Sequence, residues 1–206
     1  MKQMNGRLVC TTADPVDSLE PHKAVRADKG FDIQMLPAWR PDKAMDVDGT
    51  LGYNTQGYAP YLDKLSAAAD VDIKDYDAFW EALKKRQAFF VEMGCRVSDH
   101  GLESIDAGET TGAEAKKLFA KARAGEKLNP FEAAALRSDM LYNFGVMEHA
   151  SGFRQQFHLG AIRNNNSRLY TRLGPDQGFD SSGDFGHALP LGKLLDRLDS
   201  TNQLAP

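Results

Sequence analysis

Four short apolar segments, Leu8 to Thr12, Phe31 to Trp39, Cys95 to Asp99 and Arg154 to Ala161, each run into polar or proline-containing turns, with helical stretches between them. This alternation is the tightest constraint on the fold. A strand that returns to the same sheet in parallel needs a crossover, and a helix is the usual one. The pattern predicts right-handed strand–helix–strand units and a parallel sheet buried on both faces. Two architectures satisfy it, an open doubly wound sheet and part of a (β/α)8 barrel. A dinucleotide-binding doubly wound sheet would carry a glycine-rich turn after its first strand, where this chain has Cys10-Thr11-Thr12-Ala13-Asp14-Pro15. The barrel is favoured, as a single partial domain across the whole chain.

The helical stretches carry their own punctuation. Asp14 and Pro15 read as the cap and first-turn proline of a helix that runs to about Ala27. Tyr76 to Met93 places Phe79, Leu83 and Phe90 on one stripe, and Gly94 ends it. Asn129-Pro130-Phe131-Glu132 opens another helix that reaches about Ala150, with Gly152 closing it. A last helix is expected from Leu189 to Leu198, and the lysine-rich run from Lys116 to Lys127 reads as a solvated helix face. The polar stretch Gly101 to Gly112 is a loop or lid candidate.

Composition excludes some function classes. With 42% hydrophobic and 26% charged residues, the 206-residue chain has enough apolar material for a core. A net charge of -4 argues against nucleic acid, whose phosphates call for a basic face. No apolar run has the length of a membrane span, and Met1 to Cys10 lacks the apolar stretch of a secretory signal, so a cytoplasmic location is expected. Cys10 and Cys95 are expected to be buried free thiols.

In a barrel, chemistry gathers where strands end. The first strand ends in Thr11, Thr12 and Asp14, short polar groups that could contact a substrate hydroxyl, although Asp14 before Pro15 is more simply a helix cap. The second ends in Arg40, set between Pro37 and Pro41; a guanidinium on a rigid turn suits bidentate capture of a carboxylate, and a salt bridge to Asp42 is the competing reading. The third ends in Asp99-His100, of which side-chain alternation lets one face the barrel axis. The fourth delivers His158, then Gly160 for close backbone approach, then Arg163, Asn164, Asn165 and Asn166. His22, His149 and His187 fall on helices or loops and are expected to be solvated. No nucleophile-elbow serine and no closely spaced histidine metal signature is present in the sequence.

These strand-end phrases together resemble uronate isomerase, the glucuronate/galacturonate isomerase family of the amidohydrolase superfamily. The matching phrases are Thr11-Thr12-Ala13-Asp14-Pro15 with Asp17-Ser18-Leu19-Glu20, Leu36-Pro37-Ala38-Trp39-Arg40-Pro41-Asp42-Lys43, Gly94-Cys95-Arg96-Val97-Ser98-Asp99-His100 and His158-Leu159-Gly160-Ala161-Ile162-Arg163-Asn164-Asn165-Asn166. Leu173-Gly174-Pro175-Asp176 with Gly178-Phe179-Asp180-Ser181 completes the set.

The resemblance implies a distorted (β/α)8 barrel that interconverts D-glucuronate with D-fructuronate and D-galacturonate with D-tagaturonate. It implies a hexuronate as small-molecule partner and a divalent metal, usually zinc, whose main ligands in the family have no match in this sequence. The chain would then be a fragment covering about the second through fifth strands, inactive alone and prone to self-association through exposed sheet edges. Carried over by motif, Arg40 is expected to clamp the substrate carboxylate, with Arg163 and Asn164 shaping the pocket. Asp99 is expected to handle a proton or position sugar hydroxyls, and His158 to contact substrate. Metal-dependent hydrolysis and a non-catalytic half-barrel assembly unit are the alternatives.

Overall fold

A computed structural model describes residues 5–54, 56–174 and 177–205. In chain order the elements are β1 (Leu8–Ala13), α1 (Glu20–Ala27), β2 (Gln34–Trp39), α2 (Asp42–Met45), α3 (Tyr58–Ala69), α4 (Tyr76–Glu92) and β3 (Val97–Leu102). They continue with α5 (Gly112–Arg123), α6 (Pro130–Ala150), β4 (Arg154–Leu159), β5 (Ala161–Ile162), α7 (Ser167–Leu173), β6 (Ser181–Ser182) and α8 (Ala188–Asp199). Pro175 and Asp176 of the fifth matching phrase lie outside the described residues.

The main sheet runs β1-β2-β3-β4 in spatial order, all parallel. Each strand lies beside its predecessor in sequence and the order never reverses. A doubly wound sheet must reverse at its switch point, so the unbroken order is that of a barrel wall. The expected fold class, parallel (β/α) units forming part of a (β/α)8 barrel, is the one the chain takes. β1 and β2 are in register over their full length, from Leu8 opposite Gln34 to Ala13 opposite Trp39. β2 meets β3 at Trp39 opposite Ser98, and β3 meets β4 from Val97–Arg154 to Leu102–Leu159.

The expectation of a sheet buried on both faces needs correcting. Trp39, Ser98 and His100 point into the helix layer and are fully buried. Cys10, Thr12, Arg154, Gln156 and His158, on the opposite face, are exposed. Strand alternation puts Cys10 on that open face, so one of the two thiols expected to be buried is exposed while Cys95 is buried.

The helix layer packs through aromatic rings. Phe79 of α4 meets Phe119 of α5 at 5.1 Å between ring centres, and Trp80 meets Phe144 of α6 at 5.0 Å. Trp39 sets its edge against Phe90 at 5.0 Å, which makes it a core residue. Each such ring contributes about 1.5–3 kcal/mol through removal from water. The predicted stripe on α4 is buried as expected, and its N-terminus is capped by Asp75, whose side chain accepts from Ala78 N at 2.9 Å. The α6 start is the expected capping box, with Asn129 Oδ1 accepting from Glu132 N at 3.0 Å and Glu132 Oε2 accepting from Asn129 N at 2.8 Å.

The first helix departs from expectation. It begins at Glu20, and Asp14 caps a turn ahead of it. Asp17 Oδ2 accepts from Asp14 N at 2.8 Å and Asp17 N donates to Asp14 O at 2.9 Å, which closes the chain too early for a helix. Leu19, left-handed at φ 58°, then buries its side chain in the core. β3 extends through Gly101 and Leu102 into the expected loop, because its pairing with β4 runs that far. β4 stops at Leu159, where Gly160 turns to φ 81° and lets Gly183 donate to its carbonyl at 2.7 Å. Residues Ala161–Ile162 then form a small antiparallel hairpin with Ser181–Ser182.

The connection after α2 is organised by one carboxylate. Asp46, fully buried, accepts from Leu51 N at 2.9 Å, Tyr53 N at 2.8 Å and Asn54 N at 2.7 Å. Asp46→Ala is expected to lower stability by about 2–3 kcal/mol, since hydrogen bonds to a charged group are lost together. Urea denaturation checks this, and a midpoint equal to the parent chain's would contradict it.

Candidate functional site

At the C-terminal ends of β1 and β2 a cavity of about 470 Å³ opens. Thr12, Ala13 and Asp14 form its β1 side, and Arg40, Asp42 and Lys43 its β2 side. Leu51, Gly52 and Tyr53 arrive on the loop built around Asp46, and Arg163 and Asn164 close it from beyond β5. Three of the five expected site residues, Arg40, Arg163 and Asn164, therefore share one cavity. A second cavity of about 150 Å³, beside Arg137, is much smaller, and its guanidinium is already held by Asp106 at 2.6 Å and Asp48 at 3.0 Å.

Arg40 is placed by the sheet and oriented by carboxylates. Its backbone N donates to Ala13 O at 3.0 Å, which sets the residue beside the end of β1. Nε donates to Asp42 Oδ2 at 2.7 Å, and Nη1 lies 3.6 Å from Asp99 Oδ2. The Arg40–Asp42 salt bridge raised as the competing reading is thus present. It coexists with cavity exposure, because five N–H donors exceed what one carboxylate takes up. Asp42, 2% exposed, also accepts from Gly101 N with both oxygens at 3.1 Å. Burial pushes the Asp42 carboxyl above its ordinary range, against the downward pull of Arg40. Gly101 is the floor of this arrangement. A methyl there would run into Arg40 Nη2 and stand 2.9 Å from Asp42 Oδ2.

Asp99 and His100 part company as alternation requires. Asp99 faces the open side of the sheet, with Arg40 on one oxygen and Gln156 Nε2 3.4 Å from the other. His100 turns into the helix layer, where its Nε2 donates to Glu148 Oε1 at 2.8 Å, and Ser98 Oγ donates to Glu148 Oε2 at 2.8 Å. Of the adjacent pair, Asp99 is the one available to the site. His158 pairs in register with Gly101, on the face that carries Asp99, and is exposed. Neither Asp99 nor His158 lines the cavity wall; Asp99 reaches it through Arg40.

Beyond β4 the asparagines divide their work. Asn164 takes the left-handed turn at φ 54°, its backbone N donating to Asp180 Oδ1 at 2.8 Å. Asn165 ties the hairpin through Ser181 Oγ at 2.7 Å, and Asn166 caps α7 by accepting from Leu169 N at 3.0 Å. Arg163 pairs with Asp180 at 2.7 Å. Two of the histidines expected to be solvated are tied down. His22 is buried with Nε2 2.7 Å from Thr11 Oγ1, and His149 Nδ1 donates to Leu204 O at 2.9 Å.

Sequence reasoning missed Lys43 and Tyr53 as cavity residues, and it preferred a cap for Asp14 over the substrate-hydroxyl contact it also allowed. Lys43 lies within the Arg40-Pro41-Asp42-Lys43 phrase, and proximity to Arg40 was the available signal. Tyr53 gave none. Its hydroxyl lies 3.4 Å from Asp42 Oδ2 because Asp46 folds the intervening loop back. Burial, then the Asp42 charge, holds the Tyr53 hydroxyl above its ordinary pKa, so it stays a proton donor at neutral pH.

The donor set does not fit a resident metal. Among the described residues no group of three or more His, Cys, Asp or Glu side chains is placed to hold one. Arg40 and Gln156 already occupy the Asp99 oxygens. No helix among the described residues is long and apolar enough to cross a membrane.

Comparisons with known proteins agree with this layout. The chain is 50% identical over 205 residues to a uronate isomerase of Cellvibrio japonicus, and that match covers 100% of the chain. It is 47% identical to one of Bacteroides thetaiotaomicron over 99% of the chain. Among solved structures it is similar to uronate isomerase of Thermotoga maritima, with a TM-score of 0.85 and 34% identity over 98% of the chain and 43% of that protein. Glucuronate isomerase of Caulobacter crescentus gives a TM-score of 0.81 and 27% identity, over 96% of the chain and 40% of that structure. The chain spans 42% of the length of the curated relatives it matches. A model of the glucuronate isomerase family matches residues 1–206, so that a parallel barrel wall, an arginine-centred cavity at its strand ends and close relatives all lead to one conclusion: the chain belongs to the glucuronate isomerase family.

Proposed function

We propose that the whole protein interconverts aldose and ketose hexuronates, D-glucuronate with D-fructuronate and D-galacturonate with D-tagaturonate, and that this chain supplies the carboxylate-binding wall of its site. The observation that carries this is Arg40, held at the strand ends by Asp42 and Asp99 and open to a cavity that Lys43 and Arg163 also line. The lining also carries Asp14, Asp17 and Asp42, so its net charge is balanced, and the anion preference rests on the guanidinium of Arg40, whose five donors exceed what its carboxylate partners take up.

The reaction moves a proton from C2 to C1 of the open-chain sugar and a second from O2 to O1, through an enediol. No covalent nucleophile is needed, only a proton carrier and stabilisation of charge on oxygen. In this reading Arg40 grips the substrate carboxylate, while Arg163 and Asn164 close on the sugar. Asp99, with its Arg40 and Gln156 neighbours, carries the proton or positions a hydroxyl, and His158 contacts the substrate from the same sheet face. The family is generally metal-dependent. Zinc, the metal favoured here, would polarise the substrate carbonyl, and the described residues of this chain do not form its site.

The chain alone is expected to bind hexuronate weakly and turn none of it over, and to self-associate through the unpaired edges of β1 and β4. The place of action is taken to be the cytoplasm. Arg40→Met is expected to weaken D-glucuronate binding about tenfold to a hundredfold, the worth of a charge-assisted bidentate contact. Ligand-observed NMR on the chain measures this, and equal affinity in the two proteins would refute the assignment of Arg40.

A further inference from the structure

The cavity holds a second kind of recognition group besides its cations. Asp14 stands at the end of β1, 7% exposed, and lines the cavity. One of its oxygens is satisfied: Oδ1 accepts from Val16 N at 3.0 Å and from Tyr61 Oη at 3.3 Å. The other, Oδ2, is buried without a hydrogen-bond partner, and Lys43 Nζ stays 3.9 Å away. Asn164, on the cavity's far side in sequence, also has a buried Oδ1 without a partner. Buried acceptors are normally bonded, and a buried charge short of donors weakens the fold that contains it. Two buried acceptors without partners, on residues that line one cavity together with Arg40, Lys43 and Arg163, match a ligand that brings both a carboxylate and hydroxyl hydrogens.

We infer that Asp14, with Asn164, is a hydroxyl-reading element of this site: Asp14 Oδ2 and Asn164 Oδ1 accept O–H donors from the polyol part of an acidic sugar. This rests on the hexuronate reading and adds to it the residues that separate a sugar acid from a plain carboxylate. An anion without hydroxyls would satisfy Arg40 and leave both oxygens bare, so discrimination against it is built into the wall.

The ionisation of Asp14 gives the inference a pH signature. Burial raises its carboxyl from 3.8 to about 6, opposed by the Val16 N–H, Lys43 and Tyr61 and assisted by the Asp17 charge. As pH falls through that value the carboxylate gains a proton and Oδ2 ceases to be a free acceptor. Hydroxyl recognition is therefore present above about pH 6 and lost below it. The same raised value has the opposite sign for stability. The folded state favours the protonated acid, so stability falls as pH rises from 3.8 through about 6.

The test compares D-glucuronate with hexanoate, a carboxylate lacking hydroxyls, on the chain and on Asp14→Asn, by NMR titration. Asparagine keeps the Oδ1 acceptor and removes the charge, so the variant is expected to fold and to melt higher than the parent at mildly alkaline pH. Its affinity for D-glucuronate is expected to fall about tenfold, with hexanoate unchanged, and lowering pH from about 7 to about 5 should weaken glucuronate binding in the parent alone. Asn164→Gly, which preserves the left-handed turn, is expected to show a smaller loss in the same direction. Undiminished glucuronate binding by Asp14→Asn overturns the inference and leaves the hexuronate reading standing, as does an equal loss for both ligands. Failure of the folded parent chain to bind D-glucuronate at all overturns the two together. A lower melting temperature for Asp14→Asn would make Asp14 a structural residue and end the proposal.

Discussion

Glu148→Ala is expected to destabilise the chain by about 3–5 kcal/mol, the effect of stranding buried partners of an ion pair. Glu148 projects from α6 into the interior at 0% exposure, as do Ser98 and His100 of β3. Both of its oxygens are taken, by Ser98 Oγ and His100 Nε2 at 2.8 Å each. Removing the carboxylate leaves an imidazole and a hydroxyl buried between helix and sheet without the acceptor they share. Burial alone presses His100 towards neutrality, but the Glu148 charge and hydrogen bond, with Asp42 and Asp99 beyond, outweigh it and raise its pKa above 6.5. A histidine raised in the folded state stabilises fully below its unfolded pKa, and that contribution fades as pH climbs through the folded value. Chemical denaturation across neutral to alkaline pH should show the parent losing stability over this window and Glu148→Ala lacking the transition. A variant within about 1 kcal/mol of the parent at mildly acidic pH would show that the pair is replaceable by packing alone.

Gly101→Ala is expected to abolish measurable D-glucuronate binding, a loss of at least about thirtyfold, while the sheet survives. Gly101 is paired in the β3–β4 ladder, one pair short of its C-terminal end, and its φ is not positive, so its backbone suits alanine. The obstruction is steric. The added methyl occupies the space of the Arg40 guanidinium and comes within 3.0 Å of its Cζ. Arg40 must swing out, and Asp42 is left buried with Gly101 N and a distant Tyr53 hydroxyl as its remaining donors. Gly108→Ala serves as the control, since nothing lies within 4 Å of a methyl placed there. Titration of both variants with D-glucuronate decides the matter. Parent-like affinity in Gly101→Ala would mean that the observed Arg40 position is not the binding one.

Local chemistry made much of the fold legible. The stripe Phe79, Leu83 and Phe90 and the Asn129–Glu132 box depend on residues within a turn or two of one another, and both appear as expected. The Asp14-Pro15 start failed for an equally local reason that spacing cannot register. Asp17 was free to bond Asp14 N, and the resulting turn won over the helix. Arg40 was legible as a strand-end residue because two prolines restrict its turn; alternation required that one of Asp99 and His100 face the open side, and only the structure puts Asp99 there. His158 was legible as a strand-end residue but stands apart from the cavity wall. Tyr53 as a wall was not legible, and nothing local could decide between the cap and the hydroxyl-contact readings of Asp14, because both outcomes depend on where distant chain comes to rest.

By itself the sequence determined the alternation of strands and helices, the parallel class of the sheet and the phrases that mark the family, since periodicity, capping and turn chemistry act over a few residues. The tertiary structure alone decided which side chains meet: Gly101 beneath Arg40, Glu148 between Ser98 and His100, and Asp14 and Asn164 in the lining of one cavity. Such meetings arise from burial and hydrogen bonding between segments far apart in the chain, whose energies are set by geometry that no local pattern encodes.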